Sequence, residues 1–289
     1  MFLAHKSDII PNTAKPLVQF NNKKSLLNED GFRLITNVCP HQGSLILTES
    51  SDVLRCRYHG WSWDTTGVPT GSGTTSVCNH FKLAMKAAIE TNSLIFTESV
   101  DLKEIDDIDL SFMSLQESRI DSVKTSYKNI IDVFLDVDHI PVVHKSVYDN
   151  VGIGTEVTWH YYSWGNIQTV EKSTEYSNEF AESLKGMPPQ RLAAFWITVY
   201  PYTTIEWQPG AMFVNVCVPK EDHTDVCVFK YRDTRYNDNN WNINSTVWET
   251  AWLQDRQQAE SIITRSMFIP HLEQSKIHFR NWDKNDSRV

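Results

Sequence analysis

The feature that most constrains the fold of this chain is a pair of short segments, each carrying one cysteine and one histidine. Cys39 is followed two positions later by His41, and Cys56 is followed three positions later by His59. Two thiolates and two neutral imidazoles form a closed four-ligand metal site. Such a site is either tetrahedral zinc or an iron–sulfur centre in which His replaces two of four Cys. The chain must therefore bring two separate loops together around one metal group.

The order of the ligands distinguishes these two alternatives. A zinc finger pairs Cys with Cys and His with His, whereas both pairs here are mixed. When one iron carries both sulfurs and the other both nitrogens, each loop gives one ligand to each iron. The segments Cys39-Pro40-His41-Gln42-Gly43 and Cys56-Arg57-Tyr58-His59-Gly60-Trp61 resemble those of Rieske proteins. The resemblance implies a Rieske [2Fe-2S] cluster held by Cys39, His41, Cys56 and His59.

Both pairs are expected at the ends of β-strands. Apolar and polar residues alternate over 32–38, just before the first pair, and residues 53–55 lead into the second. Gly43 and Gly60 provide the backbone freedom that such tight loops need.

A second group of metal-binding residues stands about eighty positions further on, as Asp136, His139 and His144. Asp136 and His139 are three apart, so on a helix the carboxylate can accept the proton of the imidazole nitrogen that does not bind metal. His144 is five positions further on, about 140° around an unbroken helix. We expect Pro141 to bend a helix predicted over 122–148, so that His144 returns to the same metal.

This second pattern resembles the mononuclear iron motif of Rieske non-haem iron oxygenases. An oxygen-activating site of that kind needs a carboxylate as its third ligand. The segment around Asp255 resembles the part of the family that carries this ligand, with Glu249 and Glu260 as alternatives. Asp132 and Asp138 are expected to be capping or solvated charges.

Composition excludes several classes of function. The formal net charge of −9 over 289 residues argues against a nucleic-acid or anionic-membrane partner. No apolar run approaches the roughly eighteen residues of a membrane helix, so we expect a cytoplasmic protein. A respiratory Rieske protein would resemble the first motif too, but it would carry a membrane anchor and an additional Cys near each pair. This sequence shows neither feature. The cysteines outside the pairs, Cys78, Cys217 and Cys227, are expected to be ordinary residues of a reducing compartment.

The order of predicted elements indicates an α+β chain with two domains. Residues 1–100 form an all-β Rieske domain, and residues 101–289 form a catalytic domain that holds the mononuclear iron. The resemblance implies that this second domain is a helix-grip (START-like) antiparallel sheet with a long C-terminal helix. Its predicted strands cover 157–162, 166–173, 191–200, 203–207, 211–218 and 226–232, and its predicted helix covers 240–266.

The resemblance implies a terminal oxygenase that hydroxylates or demethylates a small organic substrate with O₂ at a mononuclear Fe(II). Residues 71–76 lack the third glycine of a dinucleotide loop, so electrons from NAD(P)H would arrive through a separate reductase, and possibly a ferredoxin. A homotrimer is implied, with Asp136 linking His139 to His59 of a neighbouring subunit.

Two other classes of protein remain open from the sequence. One is a Rieske-type electron carrier or ligand-binding protein without oxygenase activity, and the other is a structural zinc protein. Aromatic residues of the second domain are either a pocket wall, holding an aromatic ring or a quaternary ammonium group, or core packing. They are Trp159, Tyr161, Tyr162, Trp164, Phe195, Trp196, Tyr200, Tyr202 and Trp207.

Overall fold

The computed structural model describes residues 1–71, 81–147, 156–172, 176–187, 189–263 and 273–285. The chain divides after Leu102 into an N-terminal unit, Phe2–Leu102, and a C-terminal unit that begins at Lys103 and also includes Met1. Among the described residues, no helix is both long enough and apolar enough to cross a membrane.

The described part of the N-terminal unit is built from strands and single 3-10 turns. Its strands are β1 (Phe2–His5), β2 (Thr13–Pro16), β3 (Lys24–Asn28), β4 (Phe32–Thr36), β5 (Leu54–Arg55), β6 (Ser62–Trp63), β7 (Pro69–Gly71), β8 (Met85–Thr91) and β9 (Leu94–Phe96). They form one sheet in the order β1-β9-β8-β4-β3-β2 and a second in the order β5-β6-β7. β4 ends shortly before the first Cys/His pair and β5 ends immediately before the second, as predicted.

The C-terminal unit contains one seven-stranded antiparallel sheet. Its strands are β10 (Met113–Val123), β11 (Thr158–Tyr162), β12 (Gly165–Glu171), β13 (Leu192–Val199), β14 (Thr203–Gln208), β15 (Ala211–Pro219) and β16 (Thr224–Asp233). Their order is β10-β16-β15-β14-β13-β12-β11. Strands β11 to β16 follow the chain as a meander, and β10 pairs with β16, the last of them.

Five α-helices of this unit are described. They are α1 (Tyr127–Phe134), α2 (Ile140–Val143), α3 (Asn178–Ser183), α4 (Asp238–Ser261) and α5 (Gln274–Asn285). Trp248 and Trp252 lie one turn apart on α4 and are buried in a cluster with Phe213 of β15. The helix therefore packs its apolar side on the sheet. The predicted α+β class, all-β first domain and helix-grip second domain are confirmed.

The bounds of two predicted helices were wrong. The helix expected over 122–148 begins only at Tyr127, because Ser122 belongs to β10 and Ser126 caps the helix; it ends at Phe134. The C-terminal helix ends at Ser261, where Ile262 adopts an extended backbone, and residues 264–266 lie outside the described part. The strand predicted over 211–218 corresponds to β15, whose first seven residues are buried on both faces.

Candidate metal centres

Two loops with the same backbone hydrogen bonds carry the first four predicted ligands. The N–H of Cys39 donates to the carbonyl of Ser44 over 2.8 Å, and the N–H of Cys56 donates to the carbonyl of Trp61 over 2.7 Å. Each bond spans five residues and starts at the cysteine. The two loops thus present their thiols in equivalent positions, although their sequences share little beyond the ligands and a glycine.

The glycines of these loops are required by backbone geometry. Gly43 donates its N–H to the carbonyl of Cys39, and Gly60 donates to that of Cys56, both over 2.9 Å. Their φ angles are +77° and +71°, in the left-handed region that other residues rarely adopt. This turn brings the backbone back next to each cysteine, so the glycines help to set the position of the ligands.

The imidazoles of the two loops lie next to each other. The ring centroids of His41 and His59 are 4.8 Å apart, and Trp61 stacks on His41 at 4.5 Å. Both histidines are exposed, whereas Cys39 and Cys56 are only 3% and 1% exposed. The N-terminal unit therefore brings the two predicted thiols together and the two predicted imidazoles together, with the cysteines buried and the histidines at the surface.

The two thiols differ in their electrostatic surroundings. Burial raises the pKa of Cys39, and the neighbouring Cys56 adds to that effect. Burial also opposes ionisation of Cys56, but its pKa is lowered overall by hydrogen bonds from the Ser44 hydroxyl and from the backbone N–H of Tyr58. The Ser44 Oγ lies 3.2 Å from the Cys56 Sγ. The protein by itself thus favours the thiolate form of Cys56 but not that of Cys39, and binding of a metal requires the thiolate form of both.

The second group of predicted residues forms a triangle of donor atoms. The Nε2 atoms of His139 and His144 are 3.0 Å apart, and Oδ1 of Asp255 lies 3.2 Å from the first and 2.8 Å from the second. Metal–ligand bonds of about 2.1 Å meeting at right angles would separate two donors by about 3.0 Å. The three side chains therefore match one face of an octahedral metal, as two imidazoles and one carboxylate.

A break in the chain, rather than a bent helix, brings the two histidines together. After α1 the backbone makes one 3-10 turn, Val137–His139, and then starts α2, whose C-cap is His144. Pro141 lies in the first turn of α2, where a missing N–H leaves no intrahelical bond unmade. Pro141 was expected to bend a continuous helix, but it instead lies at the start of a new one. His144 nevertheless comes back next to His139, as expected.

Gln254, next to Asp255 on α4, orients one of the imidazoles. The Nδ1 of His144 lies 2.7 Å from Oε1 of Gln254, which can only accept, so Nδ1 carries the proton and Nε2 is free to bind metal. Burial opposes charge on Asp255, but the neighbouring imidazoles of His139 and His144 lower its pKa overall. Sequence reasoning missed Gln254, whose only signal was its position beside the predicted carboxylate.

Asp136 does not make the contact with His139 that its spacing predicted. Its carboxylate accepts from Lys276 of α5 over 2.6 Å and from the N–H of Asp138 over 3.1 Å. The Nδ1 of His139 is buried and has no hydrogen-bond partner among the described residues. The expected pairing assumed a helical backbone at 136–139, and the actual backbone places Asp136 as an N-cap with extended φ and ψ.

The alternative carboxylates on α4 are bound elsewhere. Glu249 forms ion pairs with Arg119 and with the buried Lys230, and Glu260 accepts a hydrogen bond from the N–H of Lys124. Neither belongs to the group of metal-donor atoms found around the two histidines. Asp255 is thus the carboxylate of α4 that the fold brings to them.

The two remaining acidic residues of the motif have different surroundings. Asp138 is exposed, as expected. Asp132 was expected to be capping or solvated, but it is 0% exposed and forms an ion pair with Arg280 of α5. This expectation was wrong because α5, which the sequence did not place, covers α1.

A cavity of about 200 Å³ opens beside the donor triangle. An apolar cavity of about 150 Å³ accepts benzene, so this space suits a small organic molecule. It is lined by Phe134, Asp136, Val137, Asp138, His139, Ile140, Pro141, His144, Val147, Val157, Gln168, Trp196, Glu206, Gln208, Val247, Trp248, Ala251 and Asp255.

Of the aromatic residues singled out in the sequence, some form the wall of a pocket and others pack in the core. Trp196 lines the cavity. Phe195 and Trp207 point to the other face of the sheet, where they stack 5.1 Å apart and are buried in the core.

Glu206 of β14 is a cavity residue that the sequence analysis did not single out. Burial, together with the negative charge of the nearby Asp255, raises the pKa of Glu206 to about 7. The indole of Trp196, directly opposite on β13, partly offsets this shift by lowering the pKa of Glu206. The sequence signal that could have identified Glu206 is that it is the lone acidic residue of the strand Thr203–Gln208.

Comparison with known protein families assigns both units. The Rieske [2Fe-2S] domain family matches residues 1–85, and the family of ring hydroxylating alpha subunits, through its catalytic domain, matches residues 101–260. The second match alone covers more than half of the 289 residues.

Two curated relatives are putrescine 2-hydroxylases. That of Ralstonia nicotianae is 24% identical over 214 residues, covering 66% of this chain and 58% of the relative. That of Bordetella bronchiseptica is 20% identical over 274 residues, covering 80% of this chain and 62% of the relative. The chain thus spans about three fifths of the length of the curated relatives it matches.

Solved structures of Rieske monooxygenases share the fold. A quaternary ammonium Rieske monooxygenase, described with its inter-subunit electron transfer, superposes with a TM-score of 0.72 at 15% identity, covering 98% of this chain and 87% of that chain. The quaternary ammonium Rieske monooxygenase CntA in complex with L-carnitine gives a TM-score of 0.70 at 14% identity, with coverage of 98% and 86%.

Proposed function

The chain belongs to the family of ring hydroxylating alpha subunits, and on that basis we propose that it is the terminal component of a Rieske oxygenase. It would take electrons from a separate reductase and use O₂ to hydroxylate or demethylate a small organic substrate. Residues 1–100 would be the Rieske domain and residues 101–289 the catalytic domain. The observation that carries the proposal is the triangle of His139, His144 and Asp255 beside a cavity, in a chain that also has twin Cys/His loops.

The twin loops suit a [2Fe-2S] cluster. Cys39, His41, Cys56 and His59 would hold it, with both sulfurs buried and both imidazoles at the surface. The cluster would supply one-electron transfer, at a potential that imidazole ligation raises above that of an all-Cys cluster. The exposed rings of His41 and His59 are the parts of the site that a redox partner can approach.

The donor triangle suits mononuclear iron. His139, His144 and Asp255 would hold the iron as two imidazoles and one carboxylate, a ligand set that leaves room for O₂ and substrate. Iron there would supply the activation of O₂. The protein's own residues keep the ligands in place: Gln254 holds the proton on Nδ1 of His144, and the lining of the cavity limits access of water.

Transfer of electrons between the two centres would use neighbouring subunits of a homotrimer. Asp136 would bridge His139 of one subunit and His59 of the next. Its carboxylate side chain is 31% exposed, so a neighbouring chain can reach it. The proposal requires Asp136 to exchange one of its present hydrogen bonds for one to Nδ1 of His139, which is buried without a partner among the described residues.

We propose an organic amine as the class of substrate. The curated relatives are named for hydroxylation of putrescine, which is a diamine, and one solved structure with this fold holds L-carnitine, a quaternary ammonium compound. The carboxylates of the cavity lining agree with a positively charged substrate.

Iron content tests the proposal against its alternatives. Protein purified anaerobically should contain about three irons per chain, two in a [2Fe-2S] cluster and one mononuclear, and should show a Rieske EPR signal after reduction. A Rieske electron carrier would hold two irons, and a structural zinc protein none. The same preparation with a surrogate reductase should then consume O₂ when amines are added. Iron content of two, or full iron content with no O₂ uptake for any amine, would contradict the proposed function.

A further inference from the structure

Three side chains in a row across the sheet form the polar wall of the cavity. Gln168 of β12 pairs with Trp196 of β13, and Trp196 pairs with Glu206 of β14. Directly paired residues of an antiparallel sheet place their side chains on the same face. That face is the one that the metal-donor triangle also borders, since all three residues line the same cavity as His144 and Asp255.

Glu206 is the carboxylate of this cavity that remains without a cation. Asp136 pairs with Lys276, Asp138 is exposed to solvent, and Asp255 contacts the two histidines. Within the described ranges, Glu206 has no Lys or Arg at ion-pair distance, and the cavity lining includes neither residue type. A carboxylate removed from bulk water is costly unless a positive charge or several hydrogen bonds compensate.

The surroundings of Glu206 also hold a ring face suited to a cation. Trp196 lies next to Glu206, is only partly buried and lines the cavity, so its ring is accessible from inside. Trp248 is less available, because its ring stacks on Phe213 and lies under Lys230. An ammonium group placed between the carboxylate and the Trp196 ring would gain charge-assisted hydrogen bonds from the first and cation–π attraction from the second.

We propose that Glu206 and Trp196 form the ammonium-binding end of the cavity and hold a protonated alkylamine through its N–H groups. This inference rests on the proposed function, because it assumes that the cavity is the substrate site. A carboxylate favours a cation that can donate, so the site should prefer a primary ammonium to a quaternary one of the same chain length. Glu206 is accordingly assigned as the residue that determines specificity for charge.

Isothermal titration calorimetry tests the proposed ammonium site by binding alone. It is done on the iron-loaded protein under anaerobic conditions and without reductant, so that no turnover occurs. The probes are n-butylamine, neutral 1-butanol and butyltrimethylammonium at neutral pH. We expect n-butylamine to bind the wild-type protein and Glu206→Gln to weaken it about 10- to 100-fold, as loss of a charge-assisted hydrogen bond implies. Binding of 1-butanol should be unchanged in Glu206→Gln, and butyltrimethylammonium should bind the wild-type protein more weakly than n-butylamine.

The matched control is Glu182→Gln, which removes the same charge from a side chain that is 65% exposed on α3. It should leave n-butylamine binding within twofold. If Glu206→Gln does not fold, Trp196→Leu takes its place and should weaken n-butylamine about fivefold.

Four results would overturn the assignment: no n-butylamine binding to wild-type protein, wild-type affinity in Glu206→Gln, an equal loss for n-butylamine and 1-butanol, or tighter binding of the quaternary probe. Failure of the proposed function is recognised separately, because it appears as missing iron or missing O₂ uptake rather than as a change in this binding.

Discussion

The side-chain nitrogen of Lys276 lies 2.6 Å from a carboxylate oxygen of Asp136, which joins helix α5 to the turn that carries His139. Lys276 is only 5% exposed and also pairs with Glu273 at 2.7 Å. The position of Asp136 is therefore set by a residue 140 positions later in the chain. A carboxylate held in this way is ready to move only if the lysine releases it.

Replacement of this lysine should affect both stability and coupling. Lys276→Met should lower the free energy of unfolding by about 1–3 kcal/mol, because two carboxylates lose a charge-assisted hydrogen bond. It should also change the coupling, which is the amount of product formed per electron taken from the reductant, while the iron content stays the same. Lys284→Met, at an exposed position of the same helix, is the control and should change neither quantity. Unchanged coupling in Lys276→Met would mean that the pair only stabilises the fold.

Asp136→Asn tests the proposed bridge between subunits. Both metal centres should stay loaded, but oxidation of the Rieske cluster should no longer be accompanied by product in a single-turnover experiment, because the charged link between the centres is lost. Full turnover in this variant would refute the bridging role.

Asp255→Ala should remove only the mononuclear iron. The donor triangle loses its carboxylate, so iron content should fall from about three to about two per chain, and the Rieske EPR signal should remain. Glu260→Ala, an exposed residue on the same helix, should keep all three irons. Loss of iron in the Glu260 variant, with retention in the Asp255 variant, would reverse the assignment of the third ligand.

Asp132→Ala should be strongly destabilising. Asp132 is fully buried and pairs with Arg280, so its removal leaves a largely buried guanidinium without its main partner, at a cost of about 3–5 kcal/mol. Asp138→Ala, six positions later and exposed, should change the free energy of unfolding by less than about 0.5 kcal/mol. Chemical denaturation of both variants gives the comparison, and similar values for the two would show that the buried pair contributes little.

Cys217 and Cys227 should resist alkylation in the folded protein. Burial raises the pKa of Cys217 to about 12 and that of Cys227 to about 11. Because a raised pKa keeps a thiol protonated, at pH 8 the thiolate of Cys217 should be about a thousandfold scarcer than that of an ordinary thiol, and reactivity should rise only as the pH approaches the raised value. Peptide mass spectrometry after iodoacetamide treatment measures this, and rapid labelling of native Cys217 would contradict it.

Several features were predictable because they depend on neighbours in the chain. Six of the seven strands of the C-terminal sheet were predicted within two residues at the ends that the structure describes, since alternation of apolar residues specifies a strand locally. The edge strand β10 (Met113–Val123) was missed. The break between α1 and α2 was not predicted, because apolar periodicity continues across it. The dinucleotide-like segment rejected from the sequence lies largely outside the described residues, as does Cys78.

The sequence by itself determined which donor groups the two candidate centres can offer, since the residue types and spacings of Cys39, His41, Cys56, His59, His139 and His144 limit which metals such sites suit. Tertiary structure decided which carboxylate joins the two later histidines, what holds Asp136, and that Glu206 borders the same cavity. The physical reason is sequence separation. Contacts between residues that are about 60 to 140 positions apart in the chain depend on how the sheet packs on α4 and on where α5 packs. No local sequence pattern encodes either.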